Sequence, residues 1–262
     1  MDIVHLSDLH IGKLDNEQGV DRITSWLVQH PSISDPDVIL ITGDVVDDGT
    51  LWQYEIAKRY VDRLREAGFR VFCVPGNHDY GLFGITESRR SMRYFREYLS
   101  GNVEYPYWEV ISGQAFILLD SMEKEMKDVE FWGSQGELGE DQLAQLDQSL
   151  KILENDPGVE NIILALHHHP FQYEPFSQLR DAETFLEVIS GDTRGASRVN
   201  CLLFGHKHIE LRFNTPPQDK ETQLGIDLIY NGGSTVERNE EGAMIVPVID
   251  IEVMKIRRYK VR

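Results

Sequence analysis

Short apolar runs recur along the chain and each ends in polar residues: Ile3–Leu6, Val38–Thr42, Val71–Val74, Phe116–Leu119, Ile162–Leu166 and Leu202–Phe204. Such short apolar runs, bounded by turn-forming residues, read as buried strands. Between them the apolar positions return at helical spacing over Val20–Gln29, Leu51–Ala67, Arg90–Leu99, Asp141–Leu153 and Ala182–Ile189, as amphipathic helices require. Gly68 stops the second of these, and Gly139-Glu140-Asp141 puts acidic residues at the start of the fourth, where the helix dipole favours them. This is a βαβ-rich pattern. After residue 210 it changes: Leu224–Tyr230, Ala243–Ile249 and Ile251–Val261 read as strands, with turns at Asn231-Gly232-Gly233 and Glu240-Glu241-Gly242. The polar stretches 122–139 and 214–223 read as surface loops. Without repeats or a low-complexity linker, residues 1–262 are expected to form a single domain.

No stretch approaches the ~18 apolar residues of a membrane span, and Met1-Asp2-Ile3-Val4-His5-Leu6 runs straight into a strand without the features of a signal peptide. The expectation is a cytoplasmic protein. Cys73 and Cys201 each lie inside an apolar run and read as buried thiols. Against 26 basic residues stand 44 acidic ones, a net charge of −18. That field repels polyanions, so long nucleic acids and anionic membranes are disfavoured as partners.

Chemistry concentrates where the strands end. The first strand runs into Ser7-Asp8-Leu9-His10, the second into Gly43-Asp44, the third into Pro75-Gly76-Asn77-His78-Asp79. Two later strands lead into His167-His168-His169-Pro170 and Gly205-His206-Lys207-His208. An Asp-x-His triplet alone is a common turn, but carboxyl ends of strands in open α/β sheets form the ligand crevice. Five such ends together supply a mixed nitrogen and oxygen donor set, suited to Mn²⁺, Fe or Zn²⁺ and poor for Ca²⁺ or Mg²⁺ alone. The plain reading of His5 is a buried core or supporting side chain, and of His30, a surface turn residue.

Taken in order, Asp8-Leu9-His10, Gly43-Asp44, Gly76-Asn77-His78-Asp79, the His167 run and Gly205-His206-Lys207-His208 resemble the calcineurin-like metallophosphoesterase family. The resemblance spans residues 3 to about 235. It implies a four-layer α/β/β/α sandwich of two mixed β-sheets flanked by helices. It also implies two divalent or trivalent metal ions, ~3.5–4 Å apart. Asp8, His10 and His208 would bind one metal, Asn77, His206 and a histidine of 167–169 the other, and Asp44 both. His167 is the expected ligand of the run and His168 the alternative. His78 would contact substrate and protonate the leaving oxygen, oriented by Asp47, with a solvated loop acid as the plain reading of Asp47.

Gly136-Glu137-Leu138 followed by Gln142-Leu143-Ala144-Gln145-Leu146 is similar to a stretch of the family's class III cyclic-nucleotide phosphodiesterases. An amphipathic helix through Leu143, Leu146, Leu150 and Leu153 accounts for the same residues. The resulting expectation is a phosphodiesterase acting on a small cyclic nucleotide or similar diester. The alternatives are a nuclease of the double-strand-break repair type, which Ser7–Lys13 and Val74–Asp79 also resemble, and a phosphomonoesterase or protein phosphatase. The full ligand set disfavours a non-enzymatic metal-binding scaffold. Arg89, Arg90 and Arg180 are basic residues near the ligand loops, and Tyr80, Phe83, Trp132 and Phe171 are aromatic ones; solvation and core packing are their more ordinary uses.

Overall fold

In the computed structural model, residues 1–30, 38–82, 86–122, 135–171, 178–191, 197–216 and 219–262 are described. In chain order the strands are β1 (Asp2–Leu6), β2 (Val38–Thr42), β3 (Arg70–Val74), β4 (Gly81–Leu82), β5 (Thr86–Glu87), β6 (Tyr107–Ile111), β7 (Gln114–Leu118), β8 (Asn161–Ala165), β9 (Cys201–Phe204), β10 (Glu210–Arg212), β11 (Leu228–Gly232), β12 (Met244–Asp250) and β13 (Lys255–Val261). The helices are α1 (Asn16–Gln29), α2 (Leu51–Glu66), α3 (Asn77–Tyr80), α4 (Arg89–Phe95), α5 (Glu140–Glu154), α6 (Ala182–Ile189) and α7 (Lys220–Leu224).

Two mixed sheets result. The first has the order β13-β12-β1-β2-β3, the second β10-β11-β9-β8-β7-β6. In the first, β1, β2 and β3 run parallel; in the second, β7, β8, β9 and β11 do. Alternation along the strands explains how the sheets stack. Phe116, Leu118, Ile163, Ala165, Cys201 and Leu203 join β1, β2 and β3 in the core between the sheets. Their neighbours Ile117, Leu119, Ile162, Leu164, Leu202 and Phe204 point the other way, onto Leu143, Leu146 and Leu150 of α5 and Phe185 of α6. Val20, Ile23 and Leu27 of α1 and Ala57, Val61 and Leu64 of α2 pack on the first sheet. The expected α/β/β/α layering is therefore present, and the parallel strands of both sheets deliver their carboxyl ends to one edge of it.

Several boundaries differ from the sequence reading, for identifiable reasons. The stretch expected as strand from Leu224 begins at Leu228, because Lys220–Leu224 closes as a short helix. The Asp219 side chain accepts from Thr222 N at 3.2 Å at its start, and left-handed Gly225 ends it. That helix also occupies part of the expected 214–223 loop. The last strand starts at Lys255, after a turn in which Met254 takes φ 48°. Helix α4 gives way to a π-helical turn at Arg96–Ser100 rather than continuing to Leu99. Of the expected 122–139 loop, residues 123–134 lie outside the described residues. Cys73 and Cys201 are free and buried, and burial pushes the Cys73 thiol up to about 12. Among the described residues no helix is long and apolar enough to cross a membrane.

Leu203, wholly buried between the sheets, tests the packing. Leu203→Ala should lower the unfolding free energy in urea by about 2–5 kcal/mol. A change within ~0.5 kcal/mol, the range of surface substitutions, would mean that β9 is not packed as described.

Candidate metal centre

Five of the seven residues expected as ligands have an unusual backbone: Asp8 (φ 54°), His10 (φ 43°), Asp44 (φ 49°), His206 (φ 74°) and His208 (φ 51°). Left-handed conformations are uncommon outside glycine and persist where surrounding contacts impose them. Here the loops impose them on one another. Asp8 N donates to Gly43 O at 3.1 Å, His10 N to Asp44 O at 2.9 Å, and Gly205 N to His167 O at 3.1 Å. Thr235 Oγ1 and Ser234 Oγ, from the turn after β11, donate to Ser7 O and Asp8 O at 3.1 and 2.9 Å. Close approach also fixes residue choice. A Cβ on Gly43 would come within 2.4 Å of His167 Nδ1, and one on Gly76 within 2.3 Å of Asp44 Oδ1.

The side chains gather into two adjoining groups. In the first, His10 Nε2 lies 3.1 Å from His208 Nε2 and 3.7 Å from Asp44 Oδ2, and His208 Nε2 lies 3.3 Å from Asp8 Oδ1. In the second, His167 Nε2 lies 3.2 Å from Asn77 Oδ1, 3.2 Å from His206 Nδ1 and 3.3 Å from Asp44 Oδ2. One oxygen, Asp44 Oδ2, thus faces both groups, while Oδ1 accepts from His78 N at 2.9 Å. All seven expected ligands are present in these two groups.

A further set of partners aims the imidazoles. His167 Nδ1 donates to Thr42 O at 2.7 Å; a carbonyl can only accept, so in the neutral ring the lone pair is on Nε2. His208 Nδ1 meets Glu237 Oε1 at 2.9 Å. Asp47 differs in detail from the expectation: its carboxylate bonds His10 Nδ1 at 3.0 Å. His78 Nδ1 instead donates to the Asp47 carbonyl oxygen at 2.7 Å, with the carboxylate 3.7 Å away. Both pairings belong to a common pattern in which an acceptor on one ring nitrogen fixes the tautomer and leaves the other for a metal or substrate. His5 is a supporting residue two contacts behind His167: its Nε2 meets Thr42 Oγ1 at 2.8 Å. Asp79, fully buried, accepts from Gly76 N at 2.9 Å and Val46 N at 3.0 Å, tying two ligand loops together.

The electrostatics bear on whether cations fit. Burial opposes protonation of His167, but the adjacent Asp44 carboxylate, with Asp8 and the Thr42 carbonyl, overcomes it and raises the imidazole to about 9. His208 is likewise raised to about 9, burial being overcome by Asp8 and Glu237. Asp44 is held well below the carboxylate range, its own burial overcome by His167, His10 and His78. Burial, with Asp44 nearby, pushes Asp79 up to about 7. These acids need positive charge beside them. With both Nδ1 atoms turned to carboxylates, His10 and His208 present their Nε2 atoms to each other at 3.1 Å, which only a proton or a cation can relieve. Among the described residues Asp8 Oδ1 is buried with no hydrogen-bond partner. The donor atoms therefore suit bound cations, with His167, His206, Asn77 and Asp44 around one and Asp8, His10, His208 and Asp44 around the other.

Other residues singled out in the sequence lie apart from this chemistry. Tyr80 is buried, its hydroxyl donating to Asp120 Oδ2 at 2.9 Å. Phe171 packs in the core, its ring centroid 5.1 Å from that of Phe213. Arg180 bonds Gln135 Oε1 at 3.1 Å, and Arg89 and Arg90 are exposed. Phe83 and Trp132 lie outside the described residues. Glu237, the Thr42 carbonyl and Ser7, whose hydroxyl donates to Asp8 Oδ2 at 2.5 Å, are contributors that sequence reading did not find. Ser7 stands beside Asp8 in the first motif, but Glu237 lies 29 residues from His208 with no motif around it.

Residues 1–210 match the model of the calcineurin-like phosphoesterase family, and the chain belongs to that family. It is a phosphoester hydrolase of a dinuclear metal-dependent class. It is 29% identical over 227 residues to a 3′,5′-cyclic-nucleotide phosphodiesterase of Nostoc sp., covering 80% of this chain and 72% of that protein. It is 30% identical over 100 residues to one polypeptide of the SbcCD nuclease of Escherichia coli, covering 36% of this chain and 25% of that polypeptide. Among solved structures, the purple acid phosphatase of yellow lupin superposes with a TM-score of 0.56 at 10% identity, over 99% of this chain. The chain spans about half of that phosphatase, 53% of its length. This similarity concerns the fold.

His167 and His208, each raised to about 9, hold protons at pH 7.5 in the metal-free chain. Ligation must expel them. Mn²⁺ titrated into chelator-treated protein at pH 7.5 should release protons, seen as a binding heat that varies with buffer ionisation enthalpy, and affinity should rise with pH towards 9. Heats independent of buffer would contradict this assignment. In the metal-free chain the same raised values contribute stability that is complete below about pH 6.5 and is lost as pH rises through about 9.

Proposed function

We propose that this chain hydrolyses a small phosphodiester of the cyclic-nucleotide class at two cations held by Asp8, His10, Asp44, Asn77, His167, His206 and His208. The observation that carries the proposal is the position of Asp44 Oδ2, between His10 Nε2 at 3.7 Å and His167 Nε2 at 3.3 Å, where one carboxylate oxygen can serve both groups. Mixed imidazole and carboxylate donors favour Mn²⁺, Fe or Zn²⁺. When bound, such cations neutralise phosphoryl charge and supply an attacking water of lowered pKa at neutral pH.

The protein's own part is orientation and proton delivery. His10 and His208 are held on axis by Asp47 and Glu237, and His167 by Thr42, so their donor nitrogens do not have to reorganise during turnover. His78 is at the rim, its side chain 24% exposed, and so within reach of a substrate. Its Nδ1 proton is committed to Asp47 O, which leaves Nε2 to carry a proton to the departing alkoxide oxygen. Asp47 is a positioning residue for His10 and, through its backbone, for His78.

The Nostoc relative supports the choice of substrate class, since the similarity spans most of both chains. The nuclease similarity spans barely a third of this one, and a net charge of −18 opposes a long polyanion. The same reading takes residues 1–262 as one domain and the location as cytoplasmic, in keeping with two free buried thiols.

Hydrolysis of bis-p-nitrophenyl phosphate and p-nitrophenyl phosphate in Mn²⁺ tests the proposal. Diester turnover should dominate, and Asp44→Ala should abolish it. His78→Ala should lower it by about 10²–10⁴-fold, the usual worth of a positioned general acid. Wild-type protein inactive on both esters at saturating Mn²⁺ would contradict the proposal, and faster turnover of the monoester would move the substrate class to phosphomonoesters.

A further inference from the structure

The start of α2 is anchored to two ligand loops at once. Gln53 is buried, and its amide accepts from Asp48 N at 2.8 Å and donates to Asp48 Oδ2 at 3.4 Å. The residue before Asp48 is Asp47, whose carboxylate bonds His10. Gly12, two residues after His10, takes φ 111°, and a Cβ there would come within 2.1 Å of Gln53 Nε2, so glycine lets the His10 loop lie directly against the amide. Trp52, the residue before Gln53, is thereby held beside the metal centre, yet it is 50% exposed. Leu14, in the same loop as Gly12, is 88% exposed. Trp26, by contrast, packs its ring against those of His30 and Tyr259, with centroids 4.2 and 5.3 Å away.

Trp52 and Leu14 line one pocket of about 570 Å³ between the 12–15 loop, α1 and α2, a volume within the range of small-molecule sites. Lys13 joins this pocket to the metal centre. Its backbone N donates to His10 O at 3.0 Å, and its ammonium is near enough to act on Asp47, which is held below its ordinary value first by His10, against burial, and further by His78 and Lys13. Tyr60, two turns and ~12 Å along α2 from Trp52, also lines the pocket, and its hydroxyl donates to Glu17 O of α1 at 3.4 Å. The charges of the walls select the kind of occupant. Asp15, Glu17 and Asp21 stand against Lys13 and Arg22, so there is no excess of positive charge to hold a second phosphate. An uncharged flat ring that stacks on an indole and carries hydrogen-bonding edges suits such walls.

We propose that this pocket is the base subsite of the diesterase: Trp52 stacks on the nucleobase of a 3′,5′-cyclic nucleotide whose phosphate is at the cations, and so sets the preference among small diesters. This rests on the reading that the centre hydrolyses cyclic nucleotides. The division of labour matches the charge of such a substrate, with its single anionic group at the metal centre and its uncharged base in a pocket whose walls are of mixed sign.

Two measurements on the full chain in Mn²⁺ test it. The first compares 3′,5′-cyclic AMP with the 3′,5′-cyclic phosphate of methyl ribofuranoside, the same diester without a base. Trp52→Ala should lower the ratio of their kcat/KM values by about 5–100-fold, the worth of one base–aromatic stack, and Trp52→Phe should restore most of it. An unchanged ratio in Trp52→Ala would overturn the subsite while leaving the proposed function intact. The second measurement needs no turnover: AMP should quench part of the tryptophan fluorescence saturably, and Trp52→Phe should lose that part. Wild type without a saturable quench, or a quench that Trp52→Phe keeps in full, would likewise overturn the subsite. Wild type that hydrolyses neither diester would instead overturn the proposed function, with the quench still deciding whether the pocket takes the base.

Discussion

A single carboxylate oxygen organises this protein. Asp44 Oδ2 is shared by two groups of imidazoles, and the carboxylate is almost completely buried. Burying an ionised carboxylate costs several kcal/mol unless opposite charge and hydrogen bonds offset it. The surroundings of Asp44 supply both: His78 N on Oδ1, imidazoles on Oδ2, and Gly76 in place of any residue whose Cβ would occupy the same space.

The two-sheet fold follows from that need as much as from hydrophobic burial. Parallel strands of the first sheet bring Asp8, His10, Asp44 and Asn77 to one edge, and parallel strands of the second bring His167, His206 and His208 to the same edge. Neither sheet alone holds a complete group. The alternating side chains of β7, β8 and β9 press one face on the first sheet and the other on α5 and α6, which fixes the separation of the two ligand sets. The strain of five left-handed Asp and His residues is borne by backbone hydrogen bonds between loops of different strands, so site geometry and fold stability are linked.

The candidate ligands stood out in the sequence because they follow apolar strands, and five strand ends rich in Asp, Asn and His mark one edge of the fold as the place for chemistry. The sequence showed the layers less directly, through periodicity and resemblance. The edge strands Tyr107–Ile111 and Glu210–Arg212 escaped notice because half-exposed strands carry no continuous apolar run. Glu237 was invisible because its contact with His208 is made by chain folding, not spacing. The pairing of Asp47 could not be read from sequence either, since the His10 and His78 rings stand edge to face with centroids 4.6 Å apart, and only coordinates tell which one meets the carboxylate. In the 167–169 run the residue types are identical, and only coordinates separate their contacts: Nδ1 of His167 meets the Thr42 carbonyl and that of His168 the Ser121 hydroxyl.

The central claim, that two cations share Asp44 Oδ2, is tested most directly by anomalous diffraction from crystals of the Mn²⁺-loaded protein. The account predicts two anomalous peaks, one among Asp8, His10 and His208 and one among Asn77, His167 and His206, with the Asp44 carboxylate between them. A single peak, or two peaks that do not both contact Asp44, would contradict it.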